Sequence, residues 1–203
     1  MGTVPAAGEG TGGPSPWRLA FGSAALVTAV GVLYLAVIVS WLLVEGTPAE
    51  PIGDPYLLAM EVLTLVSALG IGGLAVALAA GAGEGRRVAG LGGLVAGGSA
   101  AVLTGAVHFV QLTAVRQLWR SGELADYRLV WPSTLFAVEY LAWDLLVGLA
   151  MLLFARTVDG LPGSRPGRWV LTVGGVLCLF GVAGPLTGSM ALQNVAVAGY
   201  AVA

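Results

Sequence analysis

Apolar residues fall in long uninterrupted blocks. The opening stretch "MGTVPAAGEGTGGPSP" has no periodicity and little apolar matter, too little to offset the entropy of ordering, so residues 1–16 are expected to form a flexible cytoplasmic tail. Apolar runs follow at Leu19–Val44, Tyr56–Ala80, Val88–Val115, Trp131–Ala155 and Trp169–Val182, with a last segment from Met190 to the end. A bilayer core of ~30 Å takes about 20 apolar residues per helix. The pattern therefore predicts an all-α fold: a polytopic integral membrane helical bundle of about six transmembrane helices over residues 17–203.

The details of the runs sharpen this. The first is longer than the 7–15 residue apolar core of a signal peptide and reads as a retained helix. The fourth opens with "WPST", where Pro132 suits a first helical turn and Ser133 or Thr134 a cap. The fifth is expected to stop near Gly184-Pro185. From Met190 to Ala203 a helix extends only ~21 Å at 1.5 Å per residue, so the sixth is read as short or truncated.

Composition agrees with the pattern. Hydrophobic residues make up 57% of the 203 and charged residues only 10%, against about 25% charged in a soluble domain; the mean hydropathy is +0.90. The net charge is -2 and no basic run exceeds Arg86-Arg87, which argues against nucleic acid as a partner and leaves the lipid bilayer. Cys178 is the one cysteine and can form no intrachain disulfide. Arg18, Arg86, Arg87, Arg156, Arg165 and Arg168 fall on one side of the alternating spans and Arg116, Arg120 and Arg128 on the other. This asymmetry predicts a multi-pass protein of the cell inner (plasma) membrane with its N-terminus cytoplasmic. Trp17 and Trp169 would then mark the inner interface, and Trp41, Tyr56, Trp119, Tyr127 and Trp131 the outer one, with Trp143 left in mid-span.

Gly93, Gly97, Ala101 and Gly105 recur every fourth residue on the third span. Such a ribbon lets helices approach backbone to backbone. It serves either as a packing face within the chain or as the seam of a homo-oligomer.

Polar side chains concentrate in the outer half of the spans. Thr104, His108 and Gln111 share one helical face, Tyr140 and Asp144 form an i, i+4 pair, and Glu61, Glu139, Gln193 and Asn194 lie at comparable depth. Ideal helical winding sets Glu139 about 140° around from Asp144, so a pocket holding Asp144 and Tyr140 need not include Glu139. An aspartate at the centre of a span costs ~2.5 to 3.5 kcal/mol on insertion scales. Asp144 is accordingly the leading candidate for carrying a proton or charge, with a hydrogen-bonded structural carboxyl as the alternative. His108 can relay protons or bridge helices. Glu139 can serve function or meet Arg116 reaching down from the interface, and Glu61 is expected near the headgroups.

No HExxH, CxxC, GxSxG or GxxxxGK[ST] motif is present, which removes the usual hydrolase and nucleotide signatures; no metal and no cofactor is expected. The segment "FVQLTAVRQ", followed by "WPSTLFAVEYLAWDLLVGLAMLLFA", resembles a group of bacterial multi-spanning membrane proteins with an FxQLTxVR segment ahead of a helix with a buried acid. Phe109, Gln111, Leu112, Thr113, Val115 and Arg116 carry the likeness. It implies a membrane location and a helical fold, and supplies no activity. The expectation is a polar, outward-opening intramembrane cavity that binds or moves a small solute or proton through Asp144, His108, Gln111, Tyr140, Glu139 and Asn194. A metal-assisted membrane enzyme and an accessory subunit are the alternatives.

Overall fold

The structure, a computed structural model, describes residues 15–45, 52–121, 131–158 and 164–202. Residues 1–14 of the expected tail, and the expected interfacial Tyr127 and Arg128, fall outside them. The described residues are helical, with no strand among them. In chain order they form α1 (Pro16–Glu45), α2 (Tyr56–Ala80), a 3-10 turn (Glu84–Arg86), α3 (Arg87–Val110), a π-helical turn (Gln111–Val115), α4 (Arg116–Ser121), α5 (Thr134–Tyr140), a second π-helical stretch (Leu141–Val147), α6 (Gly148–Thr157), α7 (Ser164–Gly181), α8 (Ala183–Thr187) and α9 (Met190–Val202).

Among the described residues five stretches are long and apolar enough to cross a membrane: Pro16–Val44, Tyr56–Ala80, Glu84–Leu118, Thr134–Thr157 and Ser164–Thr187. The fourth starts later than its sequence suggests. Pro132 precedes the helix instead of occupying its first turn, and Ser133 is the cap, its Oγ accepting from the Phe136 N–H at 3.2 Å. The fifth runs through Pro185, broken only at Val182, and ends at Gly188, whose φ of 72° suits a residue without Cβ. Behind that turn α9, 13 residues long and so ~20 Å, doubles back along α7.

Packing places α3 at the centre, between α2 on one side and α5, the second π stretch and α6 on the other; α1 covers α2, and α7 joins α6 to α9. Small residues set these approaches. A Cβ on Gly93 would sit 2.6 Å from the Phe154 ring, and one on Gly97 3.1 Å from Ala75 and 3.5 Å from Ala150. Gly105 faces Leu65 and Ala68, and Ala101 faces Gly72, so the whole ribbon is filled from within the chain by α2 and α6. Ala75, Ala96, Ala150 and Phe154 close the core there. Large apolar side chains such as Phe21, Leu43, Leu69 and Val88 point outward from the bundle, an arrangement suited to lipid.

Cross-contacts fix which helix ends lie together. Trp17 reaches Gly81, and the Arg86 guanidinium donates to the Thr157 carbonyl at 3.1 Å. These place the start of α1, the end of α2, the start of α3 and the end of α6 at one pole. At the other pole Arg116 pairs with Asp54 at 2.6 Å, and the Tyr140 hydroxyl lies 3.5 Å from Met190 Sδ.

Candidate functional site

His108 occupies the last turn of α3, about 12 Å below Arg116 along the helix axis. Its face was already marked by Thr104 and Gln111, and all three are buried. Two carboxylates approach the ring from opposite sides. Glu61 of α2 places Oε2 2.5 Å from Nδ1, and Glu139 of α5 places Oε2 3.5 Å from Nε2. The Nδ1 contact is a charge-assisted hydrogen bond when the ring is protonated. Nε2 and the Glu139 Oε1 are buried with no hydrogen-bond partner among the described residues. Three helices are thus joined through one imidazole.

Glu61 was expected near the headgroups, and the structure corrects this: it is only 5% exposed, because α2 turns that side chain toward α3 instead of toward the bundle surface. Glu139 does not meet Arg116. The arginine is taken by Asp54, two residues ahead of α2, a partner that a reading confined to the apolar runs passes over. Tyr34 of α1 lies within electrostatic reach of both Glu61 and Glu139 and was missed because a lone tyrosine in an apolar run gives no signal.

A cleft of about 270 Å³ opens at the same pole between the start of α2 and the end of α3. Asp54 and Arg116 stand in it with side chains half to one-third exposed. Glu61 and Gln111 contribute its buried polar groups, and Leu57, Leu58, Leu112 and Val115 are among its walls. The π turn builds this cleft. The Arg116 N–H donates to the Gln111 carbonyl, five residues back, so that the two side chains come to one face. In a plain α-helix they would diverge by about 140°.

The second π stretch adjoins the other acids. Glu139 and Asp144 also stand five residues apart, Asp144 within Leu141–Val147 and Glu139 just ahead of it, and both are buried, Asp144 0% and Glu139 8% exposed. They face different neighbours, Glu139 the His108 ring of α3 and Asp144 the side chains of Cys178 and Tyr200, so Asp144 and Tyr140 stand together without Glu139. Neither Asp144 oxygen has a hydrogen-bond partner among the described residues. Its surroundings are Tyr140, Cys178 and Tyr200, all within electrostatic reach. Tyr140 is buried, but its hydroxyl is directed to Met190 and its ring packs on Trp131 and Phe136. Trp143, unassigned by the interfacial pattern, stacks obliquely on Tyr200 at 5.1 Å.

Of the six expected site residues the structure brings His108, Glu139 and Gln111 to one region with Glu61, and sets Asp144 and Tyr140 in a second, adjoining cluster. Asn194 belongs to neither: it is exposed on α9, and Gln193 is the buried member of that pair. Close packing against Gly184, whose Cβ would stand 2.5 Å from Gln193 N, orients α9 this way.

The two carboxylates stand on opposite ring nitrogens and do not converge on one point, an arrangement that can share protons but does not enclose an ion. Among the described residues no group of three His, Cys, Asp or Glu side chains is placed to hold a metal. Compared with known proteins, the chain matches no family model, no curated protein and no solved structure. Fold and composition define the class: a helical protein with five candidate membrane spans.

Proposed function

We propose that this is a multi-pass membrane protein that takes up a proton at the Glu61–His108–Glu139 triad from the cleft, and uses it to bind or move a small solute. One observation carries the reading: Glu61 both bonds the imidazole and lines the open cleft. A buried acid–base chain that touches solvent at one end can change protonation without unfolding. Gln111 is a hydrogen-bonding wall of the path. Asp144, about one and a half turns beyond Glu139 along the same span, is the second acid placed to receive a proton, with Tyr140 beside it.

The chain has one histidine, so ¹⁵N-histidine labelling yields a single imidazole whose charge state is read directly. In purified protein the His108 signal is expected to titrate reversibly between pH 5 and 10 while the fold persists, and Glu61→Gln is expected to displace that titration. An imidazole holding one charge state across the whole range, in wild type and variant alike, would reduce the triad to a bolt between helices.

A further inference from the structure

The charges around the cleft do not balance. Asp54 and Arg116 cancel at the rim, while deeper down Glu61 and Glu139 face one imidazole. Even with His108 protonated, two ionised carboxylates leave one negative charge in a buried, membrane-embedded site. Tyr34, the other titratable group that faces them, adds no positive charge. Arg86 and Arg87 sit at the far pole, roughly 30 Å along α3 from His108. A buried uncompensated charge is costly. Its neutralisation needs one more monovalent cation, which is either a second proton or a ligand.

The cleft describes that ligand. Of the cleft's two carboxylates Asp54 is held by Arg116, which leaves Glu61 and one amide as the deep oxygens, fewer than the six or more that a hard ion such as calcium takes. An ammonium group, with its own N–H donors, needs only two or three acceptors. The apolar side chains Leu57, Leu58, Leu112 and Val115 give an alkyl body a place to lie. The cleft's volume of about 270 Å³ is ample for a small amine. The unpartnered Nε2 and Oε1, on side chains that are nine-tenths buried, show that the triad has hydrogen-bonding capacity left for the alternative occupant, the proton.

We infer that the cleft binds a small protonated alkylamine against Glu61, in exchange for one proton released from the triad. The exchange balances: one ammonium enters, one proton leaves, and the site's net charge is unchanged. This rests on the proton uptake proposed above and adds the substrate class.

The test adds propylammonium chloride to purified full-length protein in weakly buffered detergent solution at pH 7 and reads bound ligand by calorimetry and released protons by a pH dye. Binding with release approaching one proton per protein is expected, because coupling between two ligands of one site is reciprocal. Glu61→Gln should lose the release. Leu58→Trp, which fills the cleft and leaves the triad intact, should lose amine binding at least tenfold while the His108 imidazole still titrates. Proton release by sodium chloride but not by propylammonium would overturn the amine class, and an equal response to propan-1-ol would overturn the charge argument. Undiminished binding in Leu58→Trp would overturn the location. No binding at all, with a titrating His108, would sink the exchange and leave the proton site standing; a silent His108 would remove both.

Discussion

At the scale of residues, the energetics of the triad separate what it does for the fold from what it does for function. Removing one member of a buried charged set strands the others and costs about 3–5 kcal/mol, whereas replacing the whole set by apolar groups of like volume is often neutral or better. His108→Ala, which leaves Glu61 and Glu139 facing an empty space, is therefore expected to lose most of the thermal stability of the protein in detergent. The triple variant Glu61→Leu, His108→Phe, Glu139→Leu is expected to melt at or above wild type, and to release no proton on addition of an amine. Unfolding of the triple variant along with the single one would mean that the triad is needed for packing. The members of the set were unevenly legible. His108 and Glu139 announce themselves as polar groups in apolar runs, as does Asp144 of the neighbouring cluster. Glu61 was undervalued because depth alone, without knowledge of which face meets α3, puts it near the headgroups; its partner lies 47 residues away, and no local pattern encodes that pairing.

At the scale of elements, the spans themselves were legible because twenty apolar residues in a row have few other uses, and their limits agree within a few positions. What uniform periodicity hides is where the winding changes. Both π-helical stretches, Gln111–Val115 and Leu141–Val147, adjoin the polar groups, as such turns commonly do at working sites. Each shifts the face of the residues beyond it, which is why Arg116 reaches the cleft beside Gln111. The glycine ribbon of α3 tests the packing between these breaks. Gly93→Ala would place a methyl 2.6 Å from the Phe154 ring, while a Cβ on Gly98 meets nothing within 4 Å. Overpacking typically costs 1–3 kcal/mol, and an alanine in a helix interior without a clash gains up to about 1 kcal/mol over glycine. Gly93→Ala is thus expected to lower the melting temperature and Gly98→Ala to hold or raise it, with Phe154→Leu restoring part of the loss in the first. Equal effects of the two alanines would refute the tight α3–α6 approach.

At the scale of the whole molecule, charge and polarity divide the bundle across its length. The pole where α1 starts and α3 begins carries Arg18, Arg86, Arg87, Arg156, Arg165 and Arg168, with Trp17 and Trp169 exposed beside them; the opposite pole holds the cleft. Arginine-rich ends stay on the cytoplasmic side, so the cleft is expected to open away from the cytoplasm, and a proton taken up at Glu61 would come from outside. Single cysteines report this. Gly85 in the 3-10 turn and Thr134 at the first turn of α5 are exposed at opposite poles, and the native Cys178 is fully buried and leaves the background dark. In intact cells a membrane-impermeant maleimide is expected to label Thr134→Cys and to spare Gly85→Cys until the membrane is opened. The reverse pattern would turn the molecule over and make the cytoplasm the source of both the proton and the amine. The triad would keep its geometry, but the direction of exchange would change from uptake to export, because the side on which the cleft opens is the side from which the cation reaches Glu61.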